Sequence, residues 1–91
     1  MNLEDLYKTI LKRKKELPEN SYTTSLFKEG LDRITQKVGE EAIEVIISAK
    51  NKSKQKVVSE MADLWYHCLV LLAKLNIKPE DIYKELEKRK K

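Results

Sequence analysis

Two short runs place acids where a helix would otherwise bury apolar side chains. QKVGEEAIEVI, residues 36–46, carries Glu40, Glu41 and Glu44 among Val38, Ala42, Val45 and Ile46. SEMADLWYHCLVLL, residues 59–72, repeats the pattern with Glu60 and Asp63. Both Glu41/Glu44 and Glu60/Asp63 are three residues apart, so on a helix turning about 100° per residue each pair shares a face. Carboxylates brought within about 4–6 Å of one another repel, and burial makes each harder to ionise. A hard divalent cation with oxygen ligands removes that penalty. Mg2+ suits the set best, because it accepts carboxylates and water in octahedral geometry and bridges phosphate oxygens; Mn2+ can substitute. Zinc is disfavoured, since one His and one Cys do not supply its usual ligands. Either acidic pair alone is ordinary on a solvated helix face, and Lys37 can simply pair with Glu41 one turn away. Two such pairs on adjacent helices are what point to a metal.

The helices that must position these acids are legible in the apolar spacing. With Val38 at zero, Lys37, Glu41, Glu44 and Ser48 fall in roughly a 60° sector. Ile34, Val38, Ala42, Val45 and Ala49 fill the sector beside it, and Ile43 and Ile47 lie on the far side. In the second run Glu60, Asp63 and His67 share a stripe with Lys56 at one end. Val57, Met61, Leu64, Cys68, Leu72 and Leu75 flank it, and Val58, Ala62, Trp65 and Leu69 continue around the helix. Such wide apolar coverage implies burial against more than one neighbour.

Capping and breaking residues divide the chain further. Asn2 predicts a first helix to about Glu16, with Leu3, Leu6, Tyr7, Ile10 and Leu11 as its apolar stripe. PENSYTTS interrupts it, and Thr23 or Thr24 is placed to cap a short second helix closed by Gly30. A third helix is expected from about Asp32 to Ala49 or Lys50, and a fourth, capped by Ser53, to Leu75. Pro79 opens a last helix to about Lys90. The short link between the third and fourth helices predicts an antiparallel hairpin that brings the two acidic runs to neighbouring levels.

Ninety-one residues, 37% charged and 41% apolar with two Gly and two Pro, read as one domain of mostly helix, residues 1–91. A chain this short buries only about 60–65% of its unfolded surface, which favours an all-α bundle completed by a second copy. The net charge of +4 is modest, and much of the excess sits in KRKK at 12–15 and again at 88–91. Solvated helix ends explain those runs more simply than nucleic-acid binding does. Cys68, the single cysteine, excludes an intrachain disulfide and is expected in the core. No signal-peptide pattern or apolar run of about 20 residues points to a membrane, so a cytoplasmic protein is expected.

GEEAIEV at 39–45 followed by EMADLWYHCLVLLA at 60–73 resembles the EExxE…ExxD pattern of the MazG-like all-α nucleoside triphosphate pyrophosphohydrolases. SYTTSLFKEGLDRITQKVGEEAIEVI, ADLWYHCLVLL and the closing KPEDIYKELEKRKK resemble, more narrowly, the phosphoribosyl-ATP pyrophosphohydrolase family of histidine biosynthesis. The likeness covers nearly everything from Ser21 onward; Trp65, where a smaller aliphatic residue is expected, is a departure that touches no proposed ligand. The resemblance implies hydrolysis of 1-(5-phosphoribosyl)-ATP to 1-(5-phosphoribosyl)-AMP and pyrophosphate, magnesium dependence and a homodimer. Some relatives carry the domain fused to the cyclohydrolase of the next step; this chain has no room for it, so a separate enzyme is expected there.

On this reading Glu41, Glu44, Glu60 and Asp63 hold magnesium. Glu40, at the edge of the stripe, either contacts a second ion or takes the proton from the attacking water. Lys37, one turn from Glu41, reaches a phosphate. The resemblance places the segment of Lys28 and Arg33 beside the site and makes both phosphate candidates, with Ser21, Tyr22 and Thr23 as hydroxyl donors from the loop. His67 joins the substrate-binding candidates through a hydrogen bond to a ligand residue, unless it is a histidine satisfied within the bundle. Tyr66 faces away from the acids and is expected in packing or dimer contact. Two rivals differ in class: a house-cleaning pyrophosphohydrolase of ordinary or damaged (deoxy)nucleoside triphosphates, and a non-enzymatic helical adaptor dimeric through Ile43, Ile47 and Trp65. A di-iron bundle would need Glu-x-x-His pairs on two helices, and here the one His follows Asp63 by four residues.

Overall fold

Four of the five helices start where a side chain accepts one of the first free backbone N–H groups or where a proline removes one. The computed structural model describes residues 1–90. They form α1 (Leu3–Glu16), α2 (Tyr22–Glu29), α3 (Leu31–Lys50), α4 (Lys54–Lys74) and α5 (Pro79–Arg89). Lys91, the last residue of the expected domain and of its second basic run, lies outside the described residues. The Asn2 side chain accepts the Asp5 N–H at 2.9 Å, and Ser53 Oγ accepts the Lys56 N–H at 3.3 Å. Pro79 opens α5, and the Asp81 carboxylate accepts the Lys78 N–H at 3.0 Å.

The start of α2 differs from expectation. Ser21, not Thr23 or Thr24, is the cap, its Oγ accepting the Thr24 N–H at 3.3 Å. Both threonines lie inside the helix and are buried. Gly30 then joins α2 to α3 with no intervening loop. At φ 97°, a left-handed value that favours glycine, its N–H donates to the Leu26 carbonyl and its carbonyl accepts the Ile34 N–H.

α3 and α4 form the predicted antiparallel hairpin through Asn51–Ser53, with Lys52 in the left-handed region at φ 56°. α1 packs on α4, α2 wedges against α1 and α3, and α5 leans on α1. The core gathers Tyr7, Ile10, Leu26, Ile34, Leu69, Val70 and Ala73. Ile34 opens α3 and the last three close α4, so the core occupies one end of the hairpin. Lys14 caps that end of α4, its Nζ donating to the Ala73 carbonyl at 2.7 Å and to Asn76 Oδ1 at 3.0 Å. Part of the first basic run is thereby engaged within the fold.

The opposite end of the hairpin is bare. Ile43, Ile46, Ile47, Val58 and Trp65 are each about half exposed or more, at 49–61%. The apolar flank expected from Val57 through Leu72 is only half-buried, Leu75 is exposed, and Cys68 sits at a half-buried position. The closest packing of α4 has shifted to His67, Leu69, Val70 and Ala73, because α1 covers that side. Among the described residues no helix is long and apolar enough to cross a membrane.

Candidate active site

The hairpin carries acids from two helices to one point. Oxygens of Glu41 on α3 and of Glu60 and Asp63 on α4 all lie within 4.8 Å of one another. Glu41 and Glu60 are half-buried and Asp63 is exposed, so the cluster opens to solvent on the Asp63 side. Burial pushes the Glu60 carboxyl above its usual range, and the charges of Glu44, Asp63 and Glu41 push it further. Glu44 is not part of the close trio, yet it is the first of those three charges acting on Glu60. It borders the cluster from one turn further along α3. Ser48, next on the same stripe, is buried with its hydroxyl donated to the Glu44 carbonyl at 2.8 Å.

The donor set is all oxygen, and its members repel. That combination fits Mg2+ or Mn2+ and not a soft or imidazole-seeking metal. The cation that touches the cluster is Lys37, whose Nζ lies 3.4 Å from Glu41 and 3.5 Å from Glu40. Burial works to lower the Lys37 pKa, but the Tyr22 oxygen, Glu41 and Glu40 outweigh it and the net shift is upward. One ammonium cannot balance three convergent carboxylates and Glu44, so charge demand remains for a divalent ion.

Glu40 stands apart. It is exposed, accepts a hydrogen bond from Gln36 Nε2 at 3.0 Å, and is held below the usual carboxylate range by that bond first, against a smaller opposing effect of burial and with help from Lys37 and Arg33. Arg33 itself pairs with Glu29 at 3.9 Å and acts on the site from two turns before Glu40. Lys28 is exposed near the end of α2, and no salt bridge or hydrogen bond among the described residues ties it to the acids.

The Ser21-Tyr22-Thr23 hydroxyls take three different places. Ser21 caps α2. Tyr22 lies 2.8 Å from His67 Nε2, and the Thr23 hydroxyl is hydrogen-bonded to that of Tyr66. His67 is buried, with Nδ1 2.7 Å from the main-chain carbonyl of Asp63. A carbonyl only accepts, so Nδ1 bears the proton; in the neutral ring Nε2 then accepts from the Tyr22 hydroxyl. His67 thus bonds the backbone of Asp63 and not its carboxylate. Tyr66 packs against the core beside Thr23. Gln36 and Tyr66 were not among the site residues expected from sequence. Gln36 was discoverable, being one turn from Glu40, whereas the Tyr22–His67 pair spans 45 residues and has no signature in local spacing.

The phosphoribosyl-ATP pyrophosphohydrolase family model matches residues 3–90. The chain is 53% identical over 87 residues to a phosphoribosyl-ATP pyrophosphatase of Geobacter sulfurreducens, covering 96% of this chain and 81% of that one. A phosphoribosyl-ATP pyrophosphatase of Clostridium novyi is 49% identical over 98% of this chain and 81% of its own length. A histidine biosynthesis bifunctional protein of Caldanaerobacter subterraneus is 53% identical over 98% of this chain, which corresponds to 43% of that protein. A match over almost every residue, acids included in the matched span, leaves one assignment: the chain belongs to the phosphoribosyl-ATP pyrophosphohydrolase family.

Proposed function

We propose that the protein hydrolyses 1-(5-phosphoribosyl)-ATP to 1-(5-phosphoribosyl)-AMP and pyrophosphate in histidine biosynthesis, with Mg2+ as cofactor. The observation that carries this is the approach of Glu41, Glu60 and Asp63 to within 4.8 Å across the hairpin, in a chain of this family. Those three residues, with Glu44 beside them, would hold the ion, and Mn2+ can take its place. When bound, the ion supplies positive charge to the polyphosphate and eases ionisation of the attacking water.

The chain's own side chains do the rest by position and charge. Water adds to the α-phosphorus and the bond to the β-phosphate oxygen breaks, so negative charge grows on the departing pyrophosphate. Lys37, kept protonated beside Glu41, stabilises that charge, and Arg33 adds positive potential further out. Glu40 holds a proton weakly, because Gln36 and Lys37 favour its ionised form. That fits orienting a water better than storing its proton. Ser21 Oγ accepts a backbone N–H, which leaves its hydroxyl hydrogen to donate to a phosphate.

The bare end of the hairpin supports a homodimer. Ile43, Ile46, Ile47, Val58 and Trp65 form an apolar surface that a second copy would remove from water. A small-molecule biosynthetic role supports a cytoplasmic location for the reaction. The deciding experiment measures pyrophosphate release from phosphoribosyl-ATP against a panel of ribo- and deoxyribonucleoside triphosphates, with and without magnesium. Faster turnover of an ordinary triphosphate than of phosphoribosyl-ATP would overturn the substrate assignment.

A further inference from the structure

Tyr22 has an oxygen to offer the site and no hydrogen. The Asp63 carbonyl, 2.7 Å from Nδ1, holds His67 as its Nδ1–H tautomer, so Nε2 is the acceptor for the Tyr22 phenol at 2.8 Å. The imidazole cannot easily turn over. It is 5% exposed and stands edge-to-face with Tyr22 and Tyr66, with centroids 5.7 Å and 5.6 Å away. Tyr22 itself is half exposed, and with its hydrogen committed inward the phenol oxygen keeps lone pairs that can only accept.

The place of that oxygen follows from α4. His67 lies four residues beyond Asp63 on the acidic stripe, about 6 Å along the axis at 1.5 Å per residue. Tyr22 covers the stripe at that level. A nucleotide whose phosphate is held at the acids carries its ribose hydroxyls at a similar reach, a handful of covalent bonds of about 1.5 Å each. Phosphate oxygens also only accept, so the phenol oxygen turns the polyphosphate away. A ribose hydroxyl is a donor, and an acceptor set near a phosphate site is a general means of holding one.

We propose that Tyr22 is a specificity-determining residue whose phenol oxygen accepts a hydrogen bond from a ribose hydroxyl of the substrate nucleotide, with buried His67 fixing that polarity. The hydroxyl donor expected at Tyr22 is thereby an acceptor. A deoxyribose lacking that hydroxyl leaves the oxygen unpaired beneath the bound sugar, so the site disfavours it. This inference rests on the proposed function, in which Glu41, Glu60 and Asp63 hold the phosphate through a metal.

The test is calorimetry on the full chain with magnesium, comparing AMP, 2′-deoxy-AMP and 3′-deoxy-AMP. All three share base and phosphate, so only a hydroxyl differs. One lost hydrogen bond predicts that the wild type prefers AMP to one of the deoxy forms by about tenfold. Tyr22→Phe, which keeps the ring, should bind AMP about tenfold more weakly, leave that deoxy form unchanged and so erase the preference. Its affinity for inorganic pyrophosphate should stay the same, since the phenol serves no phosphate. A melting curve reports folding. Where the unpaired Nε2 unfolds Tyr22→Phe, the double variant Tyr22→Phe/His67→Leu removes both partners and gives the same reading. The proposal is overturned by a wild type that treats the three alike or binds none of them. A preference that survives in the folded variant overturns it too, as does a loss of pyrophosphate affinity in Tyr22→Phe. Wild-type protein that shows the AMP preference yet leaves phosphoribosyl-ATP intact refutes the proposed activity and not the role of Tyr22.

Discussion

Glu41 on α3 and Glu60 on α4 reach toward one another across the hairpin, with oxygens inside the 4.8 Å cluster that Asp63 completes. Nineteen positions of chain separate them, yet the charge of Glu41 helps to hold the Glu60 carboxyl above its usual range. Replacing a ligand oxygen by an amide nitrogen removes both charge and donor. Glu41→Gln and Asp63→Asn should therefore each lower kcat by a factor of about 100 or more while circular dichroism still reports a helical fold. Near-normal magnesium-dependent turnover by either variant would sink the ligand assignment.

Glu60→Gln should raise the melting temperature of the metal-free protein at neutral pH. The sign follows from linkage: the folded Glu60 pKa lies above its unfolded value, so folding favours the protonated form. Its stabilising contribution is present below the unfolded pKa and is lost as pH rises through the folded pKa. The gap between variant and wild type should close below about pH 4, where Glu60 is protonated and resembles glutamine. Melting curves across pH in a chelator check this, and a lower melting temperature for Glu60→Gln at pH 7 would contradict it.

Magnesium should reverse that order. An ion that binds only the folded state at about 100 times its Kd adds roughly 2.7 kcal/mol. For a chain of this size that is a shift on the order of 10 °C or more. Wild type should show it, and Glu41→Gln should show little. Thermal shift against magnesium concentration is the measurement, and equal shifts in both proteins would argue against the cluster.

Trp65→Glu should dissociate the proposed dimer without unfolding the subunit, because Trp65 is half exposed within the chain. An aromatic residue at the centre of an interface commonly contributes about 2 kcal/mol or more, so the dimer Kd should rise by about thirtyfold or more. Sedimentation velocity over a dilution series tests it; a wild type that is monomeric throughout would remove the dimer from the proposal.

Leu26→Ala should cost about 2–5 kcal/mol in urea unfolding, since Leu26 is fully buried where α2 meets the rest of the core. In so small a domain that is a large part of the total stability. A loss below about 1 kcal/mol would mean that α2 is not integral to the core.

Much of this was visible in the chain itself. Asn2, Ser53 and Pro79 marked helix starts because capping is a local event, decided within one turn. The exception, Ser21 in place of Thr23 or Thr24, arose because three neighbouring hydroxyls are all competent caps. Burial of the two threonines selected among them, and burial is not a local property. The same limit explains the core of α4. Apolar residues lie nearly all around that helix, so spacing alone could not say that Val70 and Ala73 are fully covered while Val58 and Trp65 stand out.

The spacing of Glu41, Glu44, Glu60 and Asp63 determined that acids line one face of each helix, because helical pitch is a constant of the backbone. Which of them meet was decided only by tertiary structure. The rotation of α3 and α4 about their own axes put Glu41, Glu60 and Asp63 together and left Glu44 at the border. The same packing gave Tyr22 a histidine 45 residues away. A helix sets the angle at which a side chain leaves its axis, but only its neighbours fix where that axis lies.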